Sequence, residues 1–306
     1  MESKQLEYII KIAEECNITH AAEKLFLTQS ALNQQLLKLE KDLGTPLFHR
    51  SRTNWRPTKA GEVYIKNARE ILRIKREAYR IINDIADTKK GHLSVGLTPG
   101  RGIIMFTSVY PTFHRLYPHI VVEPIEMSVK KQQQLVAQGD LDIAFMTLCD
   151  CHKTNDAYIT ILTEEFLLAL PKQHPLSHLA SPPGEPLATL DISKLKDDPF
   201  VLMYKESTSR DVVDSIFEKS NFTPKVLFET SSTSTIITMV ESNLCCGLIP
   251  RYYTLGRDDM VCFSLPQKTT WDVVASYKKD SYLSCIARDF IDLAKNHWAE
   301  QVRTPL

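Results

Sequence analysis

Five uncharged hydrogen-bonding side chains, Gln29, Ser30, Asn33, Gln34 and Gln35, crowd the first two turns of a predicted helix in FLTQSALNQQLLKLEKDLG, Phe26–Gly44. An amide presents a donor beside an acceptor, which matches adenine N6 and N7 in a major groove, and a serine hydroxyl suits either role. Helix N-terminal amides, here behind a capping Thr28, also receive phosphate. The alternative is a set of ordinary exposed polar side chains, and the flanking sequence has to decide between the two.

A second group with chemical potential lies where predicted strands end. It comprises Thr98, Pro99, Gly100 and Arg101, then Ser128 and Thr147, then Tyr204 and Ser207 within the span 204–208, and finally Ser231 and Thr233 within 231–233. Hydroxyls that precede helices can join the helix N-terminal amides in holding a small anion. Each hydroxyl also reads as a plain helix cap, so their convergence is what argues for a site. Arg101 could pair bidentately with a carboxylate, or simply face solvent.

CDCH, Cys149–His152, offers two thiols and an imidazole to a soft metal or an oxidant. No second Cys pair completes a zinc site, and thiols one residue apart make poor disulfide geometry. A redox- or metal-responsive role for Cys149 and Cys151 is therefore the alternative reading, and no metal or cofactor is assigned. Cys245 and Cys246 read as small buried side chains in an apolar strand. GxSxG, HExxH and Walker-type loops are missing from the sequence, and the histidines lack a paired nucleophile, which argues against an enzyme.

The elements that must position these residues follow from periodicity. Leu6, Ile9, Ile10, Ile12 and Ala13 predict a first helix over Lys4–Cys16, and Asn17 or Thr19 caps a second over His20–Leu25. Leu32, Leu36, Leu39 and Leu43 form one stripe of a third helix, opposite Ser30 and Gln34, and Gly44 ends it. Leu47-Phe48 and Trp55–Pro57 read as two short strands about a turn at Thr53-Asn54, with Arg50, Arg52 and Arg56 beside them. Thr58 caps a long helix to about Thr88. Its Ile71, Ile74, Ala78, Ile81 and Ile85 alternate in steps of three and four, a seam for a second copy.

Charge supports this partition. The whole chain of 306 residues is neutral, yet residues 1–90 hold 17 Lys+Arg against 12 Asp+Glu, and the remainder 20 against 25. A basic front on an acidic body points to a polyanionic partner for the front alone. The N-terminus fits no export or transit signal, and no apolar run reaches the roughly 18 residues of a membrane span, so a cytoplasmic protein without membrane contact is expected.

The segment ITHAAEKLFLTQSALNQQLLKLEKDLGTPLFHRSRTNWRPTKAGE resembles the winged helix-turn-helix of LysR-type transcriptional regulators, most densely in AAEKLF, TQSALNQQ, KLEKDLG, PLFHR and PTKAG. The resemblance implies double-stranded DNA as partner. Thr28, Gln29, Ser30, Asn33 and Gln34 would meet bases or phosphates, and Arg50 and Arg52 the backbone and wing. Asn33 stands where serine is commoner in the family, and Trp55 is bulky for a wing.

Beyond residue 90, strands at His92–Leu97, Ile120–Met127 and Leu141–Met146 alternate with helical segments. Thr163–Pro171, PFVLMY, KVLFET and CCGLIP repeat the pattern, predicting α/β units with a mainly parallel sheet. Two such halves would hold a ligand in the crevice at their strand ends. The resemblance implies the same arrangement: an all-α-type winged head, a long linker helix and an effector domain built like a periplasmic solute receptor. The expected boundaries are 1–58 for the head, 59–89 for the linker and 90–306 for the effector domain. Within the last, one half spans about 90–162 with 268–306, and the other 163–267. A small anionic effector, a homodimer or homotetramer, and contact with RNA polymerase complete the expectation.

Overall fold

The structure, a computed structural model, describes residues 3–51, 54–86, 89–182 and 184–303. Contacts divide the chain into two compact units, residues 1–88 with 138–140, and the remainder. In the first, helices α1 (Ser3–Glu15), α2 (Ile18–Lys24) and α3 (Gln29–Leu43) precede a hairpin of β1 (Phe48–His49) and β2 (Arg56–Pro57) and a long α4 (Lys59–Ile85). Asn17 caps α2, Thr28 caps α3, and Gly44 leaves α3 at φ 69°, a conformation that costs a residue without Cβ little. Ile9, Ile12, Ala21, Leu32, Leu36 and Leu39 make the core of this head. Leu43, expected on the same stripe, is 47% exposed because α3 outruns the core by a turn.

The wing is held by a carboxylate that periodicity does not reveal. Glu40 is buried on α3, accepts the Leu47 N–H at 2.7 Å and pairs with Arg50. Thr58 then caps α4 by accepting from Gly61 N and donates its hydroxyl to Pro46 O.

The second unit runs β3 (Lys90–Leu97), α5 (Arg101–Leu116), β4 (His119–Glu126), α6 (Val129–Gln138), β5 (Ile143–Leu148) and β6 (Ala157–Pro171). It continues with β7 (Pro199–Met203), α7 (Thr208–Lys219), β8 (Lys225–Thr230), α8 (Thr233–Glu241), β9 (Gly247–Pro250), β10 (Met260–Phe263), β11 (Thr270–Tyr277) and α9 (Cys285–Arg303). A seven-stranded sheet has the order β10-β6-β11-β5-β3-β4, with β9 also on β6, and β7 and β8 form a separate parallel pair.

The sheet is mixed, which corrects the mainly parallel expectation. β3 runs parallel to β4 and β5, but β11 is antiparallel to β5 and β6, and β6 is antiparallel to β9 and β10. The cause is the double crossing between halves. β6 leaves its pairing with β11 at Glu165 and pairs onward with β9 from Phe166 and with β10 from Leu168, and β11 returns beside it. Cys245 and Cys246 are buried as expected but sit just ahead of β9. Separate apolar clusters fill the halves: Phe113, Phe145, Phe290 and Ala294 in one, and Phe200, Phe217, Phe222 and Leu248 in the other.

Candidate functional site

On the head, the α3 leucines set the rotation of the helix and so select what faces outward. With Leu32 and Leu36 buried, Gln29, Ser30 and Gln34 are exposed and Asn33 is half-buried. The Thr28 hydroxyl accepts the Ala31 N–H at 3.2 Å and lies 3.1 Å from Ser30 Oγ, so it serves first as a cap. Arg50 is 40% exposed, with one Nη2 contact to Glu40 and its guanidinium 5.8 Å from the centre of the Trp55 ring. Its charge is thus partly spent within the head. Trp55 packs against Phe48 with 6.1 Å between ring centres, a core role in the wing. Arg52 lies outside the described residues.

In the second unit, nine of the ten strand-end residues converge on one cavity of about 290 Å³. Thr98, Pro99 and Arg101 come from the end of β3, Ser128 from the end of β4, and Thr147 from β5. From the other half come Tyr204, Ser207, Ser231 and Thr233. Gly100 does not line the cavity; at φ 71° it turns the chain into α5. Glu206 and Thr208, within the expected span 204–208, also line it; sequence reasoning missed Val129, Met203, Ser209, Tyr253 and Trp271. Ser209 carried a signal, since it extends the hydroxyl run of Ser207 and Thr208. Tyr253 and Trp271 carried none, because they arrive from the turn after β9 and from the returning β11.

The electrostatics come from backbone rather than side chains. Helices α5, α6, α7 and α8 all begin at this cavity, so four helix N-termini with their partial positive charge point toward it. Ser207 caps α7 through the Ser209 N–H, but α5 and α8 have no side-chain cap, so their first amides meet no capping side chain. Of the lining residues only Arg101 and Glu206 carry charge. Arg101 is not solvent-facing: its side chain is 5% exposed and pairs with Glu164 inside the protein. A direct cleft contact also exists, in which the Thr208 hydroxyl donates to Thr147 O at 3.0 Å.

CDCH forms a short turn after β5. His152 Nδ1 accepts the Cys149 N–H at 3.2 Å and its Nε2 lies 3.1 Å from Asp211 Oδ2 across the cleft, so the imidazole is occupied at both nitrogens. Burial, with Cys151 and two carboxylates nearby, pushes the Cys149 thiol up to about 11. A different set, His174, Asp198 and Cys246, brings three donor atoms within 4.8 Å of one another. His174 Nδ1 already accepts the Leu176 N–H at 3.1 Å, so a neutral ring carries its proton on Nε2, 3.2 Å from Asp198. A metal on Nε2 would push that proton against the Leu176 N–H, and the set reads as a satisfied hydrogen-bond cluster.

Residues 3–62 match the family described as bacterial regulatory helix-turn-helix protein, lysR family, and residues 86–299 match the LysR substrate binding domain. The HTH-type transcriptional regulator AlsR of Bacillus subtilis is 26% identical over 310 residues, covering 99% of this chain and 98% of its own. YwbI of the same organism is 28% identical over 300 residues, with 97% of each covered. A full-length OxyR from Pseudomonas aeruginosa shares the fold with TM-score 0.68 at 22% identity, covering 100% of this chain and 99% of its own. CbnR in complex with its target DNA does so with TM-score 0.58 at 19% identity, covering 97% and 99%.

Proposed function

We propose a function from one premise: this chain belongs to the LysR family of bacterial helix-turn-helix transcriptional regulators, and is a DNA-binding regulator with an effector-binding domain. Residues 1–58 read the operator, 59–89 pair two copies, and 90–306 bind a small anionic effector. The observation that carries the effector class is the convergence of four helix N-termini and a ring of hydroxyls on one small cavity. Backbone amides and hydroxyls supply anion contacts, beside an Arg101 whose Nη1 is engaged by Glu164. Its volume sits near the lower end of ordinary ligand pockets, which favours a metabolite-sized acid. Occupancy changes the angle between the halves and so shifts the population of head arrangements on DNA. Calorimetric screening of small organic acids against their amides tests the class; equal or tighter binding of the amides removes it.

Base reading is assigned to the exposed amides of α3. Gln34→Ala should weaken cognate operator binding by roughly 1–3 kcal/mol and random DNA far less, as measured by fluorescence anisotropy. An equal loss on both would move Gln34 to the phosphate set.

Pairing is assigned to α4, whose Ile71, Ile74, Ile81 and Ile85 are 41, 54, 36 and 80% exposed in the single chain. Such a stripe on a 27-residue helix is what a second helix covers. Replacing Ile74 and Ile81 together by Asp should yield monomers in light scattering and weaken operator binding about a hundredfold or more through lost avidity. An unchanged mass would relocate the interface.

The redox alternative rests on Cys149 with the exposed Cys151, and the environment of Cys149 opposes it. A thiol at about 11 is ionised at pH 7 only on the order of one part in ten thousand. Iodoacetamide labelling of Cys149, followed by mass spectrometry, should rise about tenfold per pH unit from pH 7 toward 11. A plateau near pH 8 would restore the thiol as a sensor.

A further inference from the structure

Arg101 opens α5 at the cavity wall, yet the chemistry around its guanidinium is unbalanced. Its Nη1 donates to Glu164, and its central carbon lies 4.4 Å from the ring centres of both Tyr252 and Trp298. Nε and Nη2, the two donors that form the side-on fork of a guanidinium, are buried and have no hydrogen-bond partner among the described residues. Glu164 is the opposite case. Its Oε1 accepts from Arg101 and from Trp271 Nε1 at 2.8 Å, and its Oε2 from Tyr252 N at 3.0 Å.

The place of this cluster in the fold gives it leverage. Glu164 and Trp271 are register partners on β6 and β11, the two strands that cross between halves, one pair before β6 turns away at Glu165. Arg101 and Trp298 belong to α5 and α9 of one half, and Tyr252 to the turn after β9 of the other. Arg101 and Trp271 both line the cavity. A buried network satisfied on one side only is prone to rearrange when a better acceptor arrives.

Resting on the reading of the cavity as an acid-binding site, we propose that Arg101, Glu164 and Trp271 form a clamp on the crossing strands, opened when an acid group takes the Nε/Nη2 fork of Arg101. The Glu164 carboxylate ties α5 to both strands. An effector carboxylate gives the fork the bidentate partner it lacks and draws Arg101 off Glu164. β6 and β11 are then free to bend, and the angle between the halves becomes a function of occupancy. Arg101 acts here both as a ligand contact and as the positioning residue for the hinge.

The full chain labelled with 5-fluorotryptophan tests this, because its three tryptophans are Trp55 in the head, Trp271 in the clamp and Trp298 against the Arg101 guanidinium. Sodium acetate should move the Trp271 and Trp298 fluorine resonances saturably and leave Trp55 in place; acetamide with matched sodium chloride should move none. In Arg101→Met/Glu164→Gln, which keeps the shapes and removes both charges, the response should disappear or need at least about tenfold more acetate. Arg101→Lys, which keeps the charge beside Glu164 but has no fork, should lose it too, and covers the case in which the double variant folds poorly. The clamp is overturned if acetate leaves Trp271 unmoved in the wild type, or if both variants respond as the wild type does. A response kept in the variants but blocked by the cavity-filling Ser231→Phe leaves the acid-binding cavity standing without the clamp. One that survives Ser231→Phe as well puts acetate elsewhere and counts against both.

Discussion

Glu164→Ala should destabilise the effector domain by about 3–5 kcal/mol, among the largest losses available to a single substitution in this protein. The Glu164 side chain is 4% exposed and its Arg101 partner 5%. Removing the carboxylate leaves the guanidinium charge buried without a counter-ion and strips the acceptor from the Trp271 indole N–H and the Tyr252 amide. Stacking on Tyr252 and Trp298 offsets only part of this, since a cation over an aromatic face contributes about 2 kcal/mol when desolvated. The neutral pair in Arg101→Met/Glu164→Gln should recover most of the loss, because no lone charge remains. Urea unfolding followed by far-UV circular dichroism measures both. If Glu164→Ala costs less than about 1 kcal/mol, water or rearrangement is solvating the arginine and the clamp is weaker than its burial implies.

Gly61→Ala should cost the head about 3 kcal/mol. A Cβ at Gly61 would lie 2.0 Å from the Leu47 carbonyl oxygen, and that carbonyl has nowhere to go. Its own residue is anchored by the Leu47 N–H to Glu40, and the oxygen accepts from Thr58 N at 2.9 Å. Relief therefore demands that α4 move away from the wing or that the wing leave α3. The same substitution at an open helical site would be favourable by helix propensity, so the sign of the effect is itself diagnostic. Lys59→Ala, on the exposed start of the same helix with a side chain 92% exposed, serves as control and should change stability by less than about 0.5 kcal/mol. Unfolding midpoints of the head that coincide for wild type and Gly61→Ala would mean the wing is not seated on α4 as described.

Much of the head is legible in the chain because its determinants are local. The α3 stripe, the Thr28 cap and the Gly44 exit all lie within one helix length, and they suffice to turn Gln29, Ser30 and Gln34 outward. The strand-end hydroxyls are legible for the same reason, since a hydroxyl between an apolar strand and a helix marks its own position. Glu40 is not. A glutamate on an amphipathic helix reads as solvent-facing, and only the return of Leu47 and Arg50 reveals that it is buried and anchors the wing. Trp271 is hidden likewise, because a tryptophan in a strand signals core and not which cavity that core adjoins.

By itself, then, the sequence determined the helix-turn-helix with its outward amides, the apolar stripe of α4, the alternation of α/β units and the set of strand ends that share a cavity. Each follows from side-chain period, capping or turn chemistry over a few residues. Only the tertiary structure decided how the sheet is mixed, which charges are spent and what joins the halves. Arg101 shows the physical reason: its partner is Glu164, 63 residues away, and its guanidinium lies against rings from two further segments. Whether an arginine faces solvent, a ligand or an internal carboxylate depends on the dielectric and the acceptors around it, and these are assembled only when distant strands meet.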